Sequence, residues 1–265
     1  MPIPKTEKVI YDRNPLHKVI CQARFPAILK IETEIPSAFQ EKLNPQYVYA
    51  IEGQEVTIDI KLGNKQGVPD DDFRNILQTT NKNYEFSSED NKWKVNLTRN
   101  FLSLSTDNYI RWSEFKTKFE FALNAFVDVY KPVIFTRIGL RYIDIIVRSK
   151  LGIEEVDWVE LINPNILGIL ASPELKESVK DSQTKFVVEL EDNESVAKVN
   201  IGTVKSADNP EETCFMIDSD FYKLKNMKID EIIANLDFFN PKAFGLFKWC
   251  ITEKLHEAMG PSKIQ

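Results

Sequence analysis

Arg137 and Arg141 stand four residues apart in the run VIFTRIGLRYIDIIV (133–147), and Asp218 and Asp220 stand two apart in MIDSD (216–220). In an extended chain, alternate residues share a side, so each pair projects together. The two arginines then share a side with Phe135, Gly139, Ile143 and Ile145, while Tyr142 and Asp144 straddle the two sides. At strand rise their Cα atoms lie roughly 13 Å apart. Two planar guanidinium forks at that spacing suit a phosphate- or carboxylate-bearing ligand. Two close carboxylates beside arginine also suit a Mg²⁺ ion for phosphoryl chemistry. The plainer reading is internal ion pairing: if two halves of the chain meet sheet to sheet, Asp218 and Asp220 reach Arg137, Arg141 or Arg24. Arg24, Arg137, Arg141, Asp218 and Asp220 therefore form the candidate polar centre, as a ligand site or as structural pairs.

Other chemistry is sparse. His17 and His256 are the two histidines, at opposite ends of the chain, and no metalloprotease, nucleophile-elbow, dinucleotide or phosphate-loop motif occurs. The nine glycines form no cluster that would cradle a phosphate. Cys21, Cys214 and Cys250 are odd in number and far apart, the pattern of structural thiols in a reducing compartment. Cys21 and Cys214 fall within strand-like runs and read as small buried hydrophobes. No metal site and no cofactor is expected. A net charge of −6 repels a phosphate backbone, which disfavours generic nucleic-acid binding. No membrane span is read, since no run of 18 apolar residues occurs, and the polar beginning lacks the apolar stretch of a secretory signal. The expected location is cytoplasmic, and the expected partners are a protein or a second copy of the chain.

Elements to position these residues are legible from periodicity. Hydrophobic residues make up 43% of the 265, with 17 Phe, enough for a packed core. Residues 17–25 alternate as a strand with His17, Val19, Cys21, Ala23 and Phe25 on one side. Residues 36–43 suit a short helix with Ser37 and Gln40 as a capping box. Residues 47–51 and 56–62 read as a hairpin around Glu-Gly-Gln-Glu, and 63–72 as a polar, mobile loop. A meander follows: Tyr84 and Phe86, a turn, Trp93, Val95 and Leu97, a turn, Leu102 and Leu104. Lys92, Lys94 and Arg99 give it a small basic edge. From Ser113, read as an N-cap, the period becomes helical, with Phe115, Phe119, Ala122, Leu123, Phe126 and Tyr130 in one stripe ended by Pro132. The β-branched run 133–147 reads as a long, mostly buried strand.

After a connector at 156–170, the plan recurs. Strands around Phe186–Val188–Leu190, Val199–Ile201 and 214–220 precede a helix at 229–236 and another from Asn240-Pro241, whose stripe runs to Ala258 with Gly260 as its stop. Trp112, Trp158 and Phe238–Phe239 fall at element ends, as loop anchors or interface residues. The expected fold is α+β, two antiparallel β-meander plus helix halves (1–150 and 151–265) in pseudo-duplication.

Three stretches, NPL (14–16) with VICQARFP (19–26), YIRWSEF (109–115) and FTRIGLRYI (135–143), together resemble a sporadically distributed family of prokaryotic proteins to which no activity is assigned. The ending with Ile251, Leu255, Met259 and Gly260 is similar too. The likeness spans almost the whole chain and departs at His17-Lys18, where the family pattern carries an acidic residue. It implies an accessory gene of the defence or toxin–antitoxin kind and transfers no chemistry. The leading expectation is a binding or interaction protein with a groove between the halves. The alternative is a metal-dependent nucleotide- or nucleic-acid-processing enzyme using Asp218 and Asp220.

Overall fold

Alternating strands with one apolar side need a cover, and two amphipathic helices supply it. The computed structural model describes residues 3–62, 74–206 and 208–263. In chain order these form β1 (Val9–Tyr11), β2 (Leu16–Arg24), α1 (Leu29–Thr33), α2 (Ser37–Leu43), β3 (Tyr49–Leu62), β4 (Arg74–Ser87), β5 (Trp93–Leu97), β6 (Phe101–Thr106), α3 (Trp112–Tyr130) and β7 (Phe135–Ile146). There follow α4 (Arg148–Leu151), α5 (Trp158–Leu161), α6 (Pro164–Leu167), β8 (Gln183–Glu189), β9 (Ser195–Lys205), β10 (Thr213–Met227), α7 (Ile229–Cys250), α8 (Glu253–Ala258) and β11 (Pro261–Lys263). The class is α+β. No described helix is long and apolar enough to cross a membrane.

Nine strands make one sheet in the order β3-β4-β5-β6-β2-β7-β10-β9-β8, with every neighbouring pair antiparallel. The two halves are therefore joined edge to edge through β7 and β10, which corrects the expectation of sheets meeting face to face. One face of this sheet is covered. Phe115, Phe119, Leu123 and Phe126 of α3 are buried, as are Ile232, Leu236, Phe239, Ala243 and Phe247 of α7. Facing them are Val19, Cys21 and Ala23 of β2, Leu102 and Leu104 of β6, Ile138, Leu140 and Ile146 of β7, and Ile217 and Phe221 of β10. Aromatic stacking fixes the helix over the centre: the Phe25 and Phe126 rings lie 4.5 Å apart. The other face carries the polar alternates, Arg137 and Arg141 among them.

Several local expectations are corrected. Residues 52–55 are mid-strand rather than a hairpin, because the ladder from Tyr49↔Ser87 to Leu62↔Arg74 runs unbroken and outweighs the cost of Gly53 within it. The stretch 63–72 lies outside the described residues. His17 is exposed, not in phase with Val19, because a bulge between Leu16 and Lys18 resets the alternation. Phe135 turns to the helix side against Phe126, not to the side of Arg137, and a register shift between Leu224 and Met227 accompanies it. Ser37 lies inside its helix, and Arg111, not Ser113, holds the N-cap position of α3 with no side-chain cap bond. Strand β5 lies between β4 and β6, so Lys94 is no edge residue; it pairs with Glu85 at 2.7 Å.

The largest correction concerns Pro241. It stands inside α7, which runs continuously from Ile229 to Cys250. Proline removes one helical hydrogen bond, yet the buried stripe Phe239, Ala243, Leu246 and Phe247 continues across it. Packing wins over that loss, and Asn240 faces inward instead of capping. The stop comes at Ile251, and Thr252 caps α8 separately.

The first and the last described strands clasp each other. Strand β1 pairs with β11 through Val9↔Lys263, Ile10↔Ser262 and Tyr11↔Pro261, and the Asp12 and Arg13 amides donate to the Gly260 and Met259 carbonyls at 3.0 Å each. The segment before β1 lies against α7 at Gly245, where a Cβ would stand 2.4 Å from the Pro4 carbonyl oxygen. Only glycine admits that approach. Gly245→Ala is expected to cost about 1–3 kcal/mol by overpacking and to expose residues 3–8 to protease; urea unfolding and limited proteolysis measure both.

Candidate functional site

On the open face the expected polar centre assembles in part. Asp220 lies opposite Arg141, and Asp218 opposite Ile143, across the β7–β10 ladder. Arg141 leans one step along the strand and holds Asp218 bidentately, Nε to Oδ1 at 2.6 Å and Nη2 to Oδ2 at 2.7 Å. Asn200 on β9 donates to the same Oδ2 at 3.1 Å. Arg137 donates to Asp220 Oδ2 at 2.8 Å, and its guanidinium lies 4.7 Å from the centre of the Tyr222 ring. It reaches there by folding over Gly139, where a Cβ would stand 2.4 Å from its Nη1. Arg24 does not join the carboxylates. It lies opposite Arg137 on β2, is exposed, and donates from Nε to Gln22 Oε1 at 2.8 Å.

Each arginine fork except that of Arg24 is thus spent on a neighbouring carboxylate, and Asp218 has both oxygens engaged. The geometry is that of cross-strand ion pairs stitching the two halves together. Such pairs contribute modestly where water reaches them, and Asp218, whose side chain is only 6% exposed, is the charge that loss of its partner Arg141 would strand.

A different constellation lies on the covered face. Between the start of α3, the middle of α7 and the clasp of β1 with β11 is a cavity of about 750 Å³. Tyr11, Tyr109, Trp112, Phe244 and Phe247 give it aromatic walls. Its polar groups converge from distant parts of the chain. Asn240 Nδ2 donates to the Tyr142 hydroxyl at 2.7 Å, and Lys8 Nζ donates to Asn240 Oδ1. The Tyr11 hydroxyl is hydrogen-bonded to His256 Nδ1 at 2.8 Å. Trp112 Nε1 donates to Asp237 Oδ1 at 2.8 Å, which fixes the indole at the cavity wall.

Asp144 completes the lining. Tyr142 and Asp144 do not straddle the sheet: both are in phase with Ile138, Leu140 and Ile146 and so lie on the covered side. Asp144 is 6% exposed, and among the described residues no hydrogen bond or ion pair reaches its carboxyl. Burial, with a smaller contribution from the Asp218 charge, pushes its pKa up to about 8. Burial likewise raises Tyr109 to about 12 and raises Tyr11, Tyr142 and Cys250, so these groups stay protonated at neutral pH.

Asn240 was legible only as a helix cap, and Lys8 carried no signal in the polar beginning. Asp144 did leave a trace. It is the single carboxylate in the run 133–147, and it falls in phase with Ile138 and Leu140. Elsewhere, Glu253, His256 and Glu257 bring ligand atoms within 4.8 Å of one another on one turn of α8. Glu253 is already bonded to Lys248 at 3.0 Å, and the group follows from helical spacing alone.

Comparison with family models yields no match, and comparison with curated proteins yields no relative.

Two outcomes are expected. Arg141→Ala, which leaves Asp218 buried without its partner, should cost about 3 kcal/mol, whereas Arg24→Ala should stay within about 0.5 kcal/mol, both measured by urea unfolding. For Asp144, the folded pKa exceeds the unfolded carboxylate value of about 3.9. Its contribution to stability is therefore fully present below that value and is lost as pH rises through about 8. Asp144→Asn should match the parent near pH 4 and exceed it increasingly toward pH 8, by on the order of a few kcal/mol, before levelling off. Thermal unfolding across pH 4–9 checks the difference curve.

Proposed function

We propose that the chain is a binding protein whose working surface is the cavity between α3, α7 and the β1–β11 clasp. Its occupant is a small organic molecule with an apolar body. One observation carries this reading: a buried carboxyl without a partner lines a cavity whose other walls are largely apolar, aromatic and aliphatic together. Ligand sites of this size combine apolar walls with a few convergent polar groups, and perturbed titratable groups gather at such sites. A purely structural core would have replaced Asp144 with an apolar residue or given it a partner.

The accessory-system role implied by the family resemblance fits a ligand-responsive protein. It is proposed here on that resemblance alone. The alternative of a metal-dependent enzyme at Asp218 and Asp220 gains nothing from the geometry, since both carboxylates are engaged by arginines. A protein partner for the open sheet face is compatible with the cavity reading and independent of it.

A thermal-shift screen of small aromatic and alkyl compounds tests the proposal. A ligand at 100 times its Kd stabilises by about 2.7 kcal/mol, a rise of about 5 °C for a chain of this length. Hits are expected to raise the melting temperature of the parent and to leave Ala243→Trp unmoved, because the indole fills the cavity. Hits that stabilise both proteins equally, or a screen without hits, would overturn it.

A further inference from the structure

The inside of the cavity holds an ionisable acid, and its rim holds cations. Asp144 stands on β7 deep in the lining, while Lys8, Arg111 and Lys263 line the cavity from exposed positions. Among the described residues none of these three cations is in an ion pair. Lys8 is held by the Asn240 carbonyl oxygen, and the nearby Asp237 carboxylate, already paired with Lys116, attracts it without forming an ion pair. Inside, no described residue neutralises the carboxylate form of Asp144. The titratable groups that share an electrostatic interaction with it are Tyr11 of β1, Cys250 of α7 and, through the sheet, Asp218 of β10. These are a phenol, a thiol and a carboxylate, and none is a cation.

Resting on the reading of the cavity as a ligand site, we infer that its ligand is zwitterionic: an ammonium group on Asp144, an aromatic or alkyl body between the rings, and a carboxylate or phosphate at Lys8, Arg111 and Lys263. Each part follows from a separate observation. An ammonium supplies the missing positive charge and donates to a carboxylate that has no other donor. The ring faces of Tyr11, Tyr109 and Trp112 favour a cation passing between them. The rim cations repel a ligand that is only positive and attract the opposite end of one that is both. A fully anionic ligand would reach the rim cations but supply no ammonium to the buried carboxyl.

The chemistry has a protonic signature. With a pKa of about 8, Asp144 is mostly protonated in the free protein at pH 7. Binding of an ammonium requires the carboxylate, so the carboxyl proton leaves to solvent as the ion pair forms. Uptake of a neutral or anionic molecule leaves that proton in place.

Three probes share one ring system and differ in charge: tryptamine, tryptophan and indole-3-propionate. Calorimetry at pH 7 in two buffers of different ionisation enthalpy reads affinity and proton release together. Tryptophan and tryptamine are expected to bind with release approaching one proton, and indole-3-propionate at least about tenfold more weakly with no release. Asp144→Asn, which is expected to fold at least as stably as the parent, should abolish the release and weaken both amines by about tenfold or more. Arg111→Ala should weaken tryptophan and leave tryptamine equally or slightly more tightly bound. Equal or tighter binding of indole-3-propionate, unchanged amine affinity in Asp144→Asn, or no binding by either amine would overturn the inference. If the amines fail while screening hits still depend on Ala243, the cavity reading stands and only the ligand class falls. If hits ignore Ala243→Trp, both fall.

Discussion

Strand β7 is hydrogen-bonded along both edges, to β2 on one side and β10 on the other, and the rest of the architecture hangs on that position. Its register with β2 aligns the first meander, and its register with β10 aligns the second. A slip of one residue would turn Ile138, Leu140 and Ile146 to water and drive two guanidiniums under the helices. The apolar phase therefore fixes the register, and the register fixes where every polar group of β7 can go. Arg137 and Arg141 are held on the open face for the same reason that Asp144 is held under the helices.

The two faces are not electrically independent. Asp218 sits on β10 opposite Ile143 on the open face, and Asp144 sits one residue along β7 on the covered face. The sheet between them is one backbone thick. Asp218 is neutralised locally by Arg141, yet its charge still adds to the burial that keeps the Asp144 carboxyl protonated. The ion-pair network thus does more than join the halves. It sets part of the field inside the cavity.

Much of the fold was readable because period two and period 3.6 are strong signals over long runs, as in α3, β5 and β7. Failures occurred where a local cue competed with tertiary packing. Asn240-Pro241 has the form of a helix start, but the stripe on either side of it packs as one face. Gly53 has the form of a turn, but a long antiparallel partner overrides it. The arginines and aspartates of the open face were found because their spacing is local to each strand. Their roles as mutual partners depended on β7 and β10 being neighbours, which no spacing encodes. The cavity was harder still. Its polar groups come from residues 8, 109, 142, 144 and 240, and only topology brings them together. Tyr109, Arg111 and Trp112 do fall within one of the stretches that carry the family resemblance, although nothing in their spacing marks a binding wall.

The clasp between β1 and β11 has a temporal side. The Ser262 hydroxyl donates to the Ile10 carbonyl across 252 positions of sequence, among the most distant contacts the chain makes. During synthesis at about 5–20 residues per second, Val9, Ile10 and Tyr11 emerge long before the strand that will pair with them. For that interval the sheet and helices have time to assemble while one wall of the chamber is still unfinished. The rings of Tyr11, Phe244 and Phe247 stay open to water on that side until β11 arrives. The order of translation closes that wall of the chamber only after the helices α7 and α8 have been made.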